Sequence, residues 1–186
     1  MIVGVGGQGA LLASRILGNA VLLEGYDIKV SEVHGMSQRG GSVVTYVKYG
    51  EKVASPVICR GEADVIMSFE LLEAARWLPY LKKGGTIITN TQRINPMPVI
   101  TGAAEYPEDL VEKIRATGAK VIAADALAIA REAGSEKAVN VALIGLMART
   151  LGFDRGTLEE AIRMSVPEKF LELNLKAFDL GEKASA

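Results

Sequence analysis

One cysteine and one histidine stand among 186 residues, and that scarcity excludes several kinds of chemistry. Cys59 alone cannot close an internal disulfide, nor supply the several thiolates of an iron–sulfur cluster or a structural zinc site. Any redox centre therefore lies elsewhere. Charge of one sign is missing too: 21 Lys+Arg face 22 Asp+Glu, for a formal net charge of −1. Phosphate neutralisation needs a basic patch, and no Lys/Arg cluster stands out along the chain, so no nucleic-acid partner is expected. The longest stretch without a charge, residues 1–14, contains four glycines and falls short of the roughly 20 apolar residues that cross a bilayer. No membrane segment is expected. A secretory signal places a basic region before its apolar run, whereas this chain opens Met-Ile-Val; the expected location is cytoplasmic.

What is abundant is apolar surface. Hydrophobic residues make up 49% of the chain and the mean hydropathy is +0.22, the opposite of the composition that keeps a segment disordered. At roughly 150 residues per domain the length suggests one domain, and a domain of this size buries about 70% of its unfolded surface. No internal repeat, low-complexity tract or linker interrupts the sequence. A single domain over residues 1–186 is expected.

Short β-branched runs alternate with longer alanine- and leucine-rich stretches from end to end, the pattern of an α/β layered sheet. The first strand, 1–3, is shorter than the usual five or six residues, which carries the expectation of at least one further residue upstream. Helical spacing of Leu12, Ile16, Ala20 and Leu23 predicts a helix over 10–24 that Gly25 stops. Strands are expected over 28–33 and 42–49, and Gly50-Glu51 predicts a hairpin back into a short strand at 52–54. Such a hairpin makes a mostly parallel sheet mixed. A buried strand over 63–68 is followed by a helix over 70–81, with Pro79 bending its last turn and Lys82-Lys83-Gly84-Gly85 closing it, and then by a strand over 86–90. Pro96 and Pro98 argue against a helix over 95–100 and for an edge or crossover. A helix to Ala116, a strand over 120–124 and a helix over 126–133 repeat the alternation, with Asp125 at the N-cap position. Residues 138–151 predict a helix apolar nearly all round, hence buried on most sides. Two more helices, 157–164 and 168–180, are split by Pro167. The expected fold is a three-layer Rossmann-like α/β sandwich.

Two segments carry candidate chemistry. Gly4-x-Gly6-x-x-Gly9, with Gly7 and Gln8 inside it, lies between a strand and a helix. Glycines there permit a tight turn and let backbone N–H groups approach an anion at the helix N-terminus. Glu32 follows Gly9 by 23 positions, where a dinucleotide site puts its ribose-binding acid. The pair reads either as a nicotinamide site, hence a free-standing NAD-dependent dehydrogenase, or as close helix-to-strand packing beside a solvated strand end. The second segment is His34-Gly35-Met36-Ser37-Gln38-Arg39-Gly40-Gly41 at the end of a strand. Sheets of this class bind ligands at that end. With no second histidine a metal site there is not expected, and no nucleophile can be assigned to His34 as a general base. A recognition loop is the more economical account, with Arg39 anchoring a carboxylate, a phosphate or a partner's backbone. Asn140 reads as a cap or a buried hydrogen-bonder, and Cys59 beside Arg60 as a small buried thiol.

Taken together, the glycine segment 3–9, the segment 31–42 around HGMSQRGG, and the stretch 140–145 (Asn-Val-Ala-Leu-Ile-Gly) resemble the gamma-type subunit of the 2-oxoacid:ferredoxin oxidoreductases. The similarity covers essentially the whole chain, and the HGMSQRGG wording is closer to the beta subunit of the indolepyruvate type than to the pyruvate or 2-oxoglutarate members. The glycine segment alone is a weak signal; the HGMSQRGG loop is specific. The resemblance implies oxidative decarboxylation of 2-oxo acids to acyl-CoA, with coenzyme A as co-substrate. It also implies that thiamine diphosphate, Mg and iron–sulfur clusters sit on a larger partner subunit that passes electrons to ferredoxin. This chain would be a non-catalytic subunit, inactive by itself, with no cofactor or metal of its own. Gly4, Gly6, Gly7, Gln8 and Gly9 would contact an anion or the partner, and residues His34 to Gly41 the partner. A pure assembly module, in which both loops make only protein contacts, is the third possibility.

Overall fold

The computed structural model describes residues 1–33 and 41–185. Six strands, β1 (Ile2–Val5), β2 (Asp27–Val33), β3 (Ser42–Gly50), β4 (Ala63–Ser68), β5 (Leu81–Asn90) and β6 (Lys120–Ala124), form one sheet in the order β2-β3-β1-β4-β5-β6. Neighbours β1, β4, β5 and β6 run parallel, while β3 is antiparallel to both β1 and β2. The helices are α1 (Ala10–Leu23), α2 (Leu71–Trp77), α3 (Met97–Ile100), α4 (Leu110–Arg115), α5 (Ala126–Ala133), α6 (Val139–Leu151), α7 (Arg155–Ser165) and α8 (Leu171–Ala184).

Both faces of the sheet are covered, which is why its inner strands read as continuous apolar runs. Successive strand residues point to opposite faces. Ile2, Met67 and Ile88 accordingly join the core under α1, α5, α6, α7 and α8, whereas Val3, Ile66 and Ile87 join the core under α2 and α4. β1 leads through α1 on one face toward β2, and β4 leads through α2 on the other face toward β5 and β6. The chain therefore winds in opposite directions from the β1–β4 boundary, the position at which doubly wound sheets open a crevice at their carboxyl ends. Helix α6, buried from Asn140 to Ala148, lies against β5 with α1 and α5 beside it, and α8 crosses over α6 instead of lying on a strand.

Four expectations need correction. Residues 52–54 form no strand, because β2 and β1 already take both edges of β3; the hairpin partner of β3 is β2, and the backbone N–H of Val53 caps the Asp27 carboxylate at 2.9 Å instead. The helix expected over 70–81 stops at Trp77. Pro79 then sits in the 3-10 turn Leu78–Tyr80, and Leu81 already pairs with Ala63. Lys82 to Gly85 thus lie inside β5, where the register shifts and Gly84 takes φ +75°, a left-handed conformation that glycine adopts without penalty. Met97–Ile100 is helical despite its prolines, since Pro96 is the N-cap and Pro98 lies in the first turn, where no N–H is required. Cys59 is exposed because the 51–62 connection runs over the surface.

Candidate functional site

The glycine turn is built by its own backbone and one side chain. Gly7 and Gly9 take φ +96° and +90°, so the chain reverses out of β1 and enters α1 with left-handed Gly9 at the N-cap. The Gly6 N–H donates to the Gly41 carbonyl at 3.0 Å. Next in the chain, the Ser42 hydroxyl donates to the buried Glu73 carboxylate, and the Trp77 indole N–H reaches both at 3.3 Å. The structure thus joins two motifs read separately, since the residue closing the second lies on the turn of the first. His34, Gly35, Met36, Ser37, Gln38, Arg39 and Gly40 lie outside the described residues.

Gln8 points inward. Its Oε1 accepts the Val5 N–H at 2.7 Å, and its Nε2 donates to the Phe69 carbonyl at 3.1 Å and to Gln92 Oε1 at 3.4 Å. Gly4 is required beside it, because a Cβ there would meet Gln8 Oε1 at 2.9 Å and Phe69 Cβ at 3.0 Å. Asn140 is a buried hydrogen-bonder; its Nδ2 donates to the Gly9 carbonyl at 3.4 Å and occupies the space that a Cβ on Gly9 would need. Asp125 is the N-cap of α5, accepting from Ala128 N–H at 2.9 Å. Asn90 and Gln92, at the carboxyl end of β5, were not legible as site residues.

On the outer side of the turn a cleft of about 320 Å³ runs between the first turn of α1 and the ends of β1, β2 and β3. Its walls are largely apolar, with half-exposed Leu11 and Val33 at the rim. Gly6, Gly7 and Gly9 contribute backbone, and Glu32 contributes a carboxylate that accepts the Ser14 hydroxyl at 3.0 Å. The antiparallel β3 separates β2 from β1, so Glu32 sits one strand farther from the glycine turn than it would if β2 adjoined β1. A larger cavity of about 380 Å³ opens near the opposite end of the sheet, between β3 and β4, away from both motifs.

Among the described residues no group of three or more His, Cys, Asp or Glu side chains gathers as metal ligands would. Among the same residues no helix is long and apolar enough to cross a membrane.

A family model described as pyruvate ferredoxin/flavodoxin oxidoreductase matches residues 1–184. Over its full length the chain is 48% identical to the indolepyruvate oxidoreductase subunit IorB of Thermococcus kodakarensis, covering 94% of that protein. With the IorB subunit of Archaeoglobus fulgidus the identity is 40%, over 97% of this chain and 92% of the relative. Among solved structures, the gamma subunit of a keto/oxoacid ferredoxin oxidoreductase from Geobacter sulfurreducens superposes with a TM-score of 0.73 at 24% identity, over 99% of this chain and 95% of that one. This last likeness concerns the α/β fold.

Proposed function

The chain belongs to the pyruvate ferredoxin/flavodoxin oxidoreductase family, and from that premise we propose that it is the non-catalytic subunit of a thiamine-diphosphate-dependent, indolepyruvate-type 2-oxoacid:ferredoxin oxidoreductase. The complex would decarboxylate aryl 2-oxo acids oxidatively to acyl-CoA in the cytoplasm. The observation that carries the reading is the 48% identity to an IorB subunit over the whole chain. The geometry supports it: the glycine turn and Gly41 share one surface at the carboxyl end of the sheet, as a face meeting a partner's active site would require. Thiamine diphosphate with Mg would supply the decarboxylation chemistry, and iron–sulfur clusters the electron path to ferredoxin, all on the larger subunit. The exposed single thiol of Cys59 is consistent with that division of labour.

This chain's part is to shape the site. Gly6, Gly7 and Gly9 present backbone to the coenzyme A or partner surface, whereas Gly4 is buried in β1, and Arg39 contributes a guanidinium able to make paired hydrogen bonds to a carboxylate or phosphate. The test is reconstitution. The purified chain with thiamine diphosphate, coenzyme A and indolepyruvate should reduce no ferredoxin and show no iron–sulfur absorbance, and adding the larger subunit should restore turnover. In the same assay Arg39→Ala should weaken assembly by about 2 kcal/mol, roughly 30-fold, with an unchanged melting temperature. Turnover by the chain alone refutes the proposal.

A second reading, the NAD-dependent dehydrogenase, rests on Gly4-x-Gly6-x-x-Gly9 with Glu32. The interposed β3 and the Ser14 contact of Glu32 weigh against it. Calorimetry with NADH should show no binding tighter than about 1 mM; a micromolar constant, about −8 kcal/mol, would reverse the ranking. In a pure assembly module, Arg39→Ala would change subunit affinity and leave the KM for coenzyme A alone.

A further inference from the structure

The crevice between β1 and β4, where a sheet of this winding binds ligands, is spanned by the chain's own amides. Two side-chain amides face each other across it. Gln8 Nε2, from the glycine turn, donates to the Phe69 carbonyl (3.1 Å) and to Gln92 Oε1 (3.4 Å). Asn90 Nδ2, from the end of β5, donates to the same two acceptors at 3.2 and 3.3 Å.

The polarity of this arrangement is forced from both ends. On one side Asn90 Oδ1 accepts the Ala126 N–H, the first residue of α5, at 3.0 Å. On the other, Gln8 Oε1 accepts the Val5 N–H at 2.7 Å. A backbone N–H can only donate, so each amide must turn its oxygen outward and its nitrogen toward Phe69 and Gln92. Gln92 must then present its oxygen. No amide can flip without setting donor against donor, and Asn90 is fully buried, where an unsatisfied polar group is costly. The network ties the turn after β1 to the exits of β4 and β5 and to the start of α5, over sequence separations of 21 to 84 positions.

We infer that Asn90 and Gln92 are positioning residues that fix the glycine turn against the sheet and so set how this chain docks on its larger partner. The inference rests on the subunit reading proposed above. Glycines allow the turn its shape but leave it many others. The amide bridge selects one, because the Val5 N–H at the base of the turn is held through Gln8. With Gln8 committed inward, the outward surface at Gly6, Gly7 and Gly9 is backbone, and its placement depends on a residue at the end of β5.

Gln92 gives the cleanest test. Gln92→Met keeps the length of the side chain and removes the acceptor, whereas Gln92→Glu keeps an acceptor oxygen for both amides. In the reconstituted complex, Gln92→Met should raise the concentration of this chain giving half-maximal activity by about tenfold, the range expected for one or two hydrogen bonds. The kcat at saturating chain should stay at the parental value, and Gln92→Glu should restore the parental half-saturation. A purely structural role would lower Tm in Gln92→Met and leave the half-saturation of the folded complex unchanged, which overturns the inference. Native-state hydrogen exchange on the isolated chain reads the bridge without the partner. The Val5 amide should exchange about tenfold faster in Gln92→Met and at the parental rate in Gln92→Glu. Parental exchange in both overturns the inference even where the complex assembles, whereas failure of the unmodified chain to restore activity overturns the subunit reading alone.

Discussion

Gly145→Ala and Gly181→Ala should each cost the fold about 3 kcal/mol or more, the upper range for overpacking a core, and lower Tm by roughly 6–12 °C for a chain of this size. The reason is a reciprocal backbone contact where α8 crosses α6. A Cβ on Gly145 would stand 2.2 Å from the Phe178 carbonyl oxygen and 2.9 Å from Glu182 N, and one on Gly181 would stand 2.2 Å from the Ala142 carbonyl oxygen. These obstacles are backbone, not the ends of flexible side chains, so one helix must move off the other. Buried Val141, Leu143, Ile144 and Phe178 would lose packing with it. Gly156 in α7 supplies the control, since nothing lies within 4 Å of its Cβ position. Gly156→Ala should stabilise by about 0.5–1 kcal/mol through helix propensity. Thermal melts of the three variants decide it: a Gly145→Ala protein melting within about 2 °C of the parent would mean that α6 and α8 are not in backbone contact.

The layered fold was legible because its signals are local. The apolar runs of β1, β4 and β5, the helical spacing of α1, the all-round apolar face of α6 and the caps at Gly25 and Asp125 each lie within a dozen residues. The position of β3 was not, because which strand pairs with which is decided by residues far apart in sequence. The turn signal at Gly50 is real and could not show that both edges of β3 are occupied. Pro96 and Pro98 misled for a different reason: proline forbids a helix interior, and these two stand at a helix start.

The candidate site divides the same way. Three glycines around a turn are visible in a sequence, and so is the loop that Gly41 closes. The direction of Gln8 is not, since a polar residue between glycines reads as facing a ligand until Phe69 and Gln92 are placed beside it. Asn90 ends an apolar strand like any polar residue leaving a sheet. Its meaning comes from Ala126 N–H and the Phe69 carbonyl, contributed by two other elements. Cys59 shows the converse limit, for residue type alone suggested burial and the path of the 51–62 connection put it on the surface.

Glu70→Ala should be comparably severe, at about 3–5 kcal/mol, because it strips an acceptor from three donors at once. Glu70 is buried to 1% exposure at the N-cap of α2. Its Oε2 accepts the Glu73 N–H at 2.9 Å, and its Oε1 accepts the Ile94 N–H at 3.1 Å and the Tyr106 hydroxyl. Tyr106 in turn accepts the Leu72 N–H at 3.0 Å. Burial first, and then the hydrogen bond to the Glu70 carboxylate, raise this phenol well above its usual range, so it stays a donor at any pH the fold meets. The carboxylate therefore pins the excursion 91–109, which carries exposed Met97 and Ile100, to the start of α2 at the same end of the sheet as the glycine turn. Glu70→Gln is not a conservative change here. If the amide oxygen serves Ile94 and Tyr106, its nitrogen faces the Glu73 N–H, donor against donor, at a cost of about 1–3 kcal/mol. Tyr106→Phe should cost about 1–2 kcal/mol by itself. Because the two residues share one hydrogen bond, the double variant Glu70→Ala/Tyr106→Phe should cost less than the sum of its parts. Hydrogen exchange should localise the loss, with Ile94 and Leu72 losing protection while the β4 amides keep theirs. Additive costs with uniform loss of protection would show that Glu70 supports the core generally and does not hold the excursion.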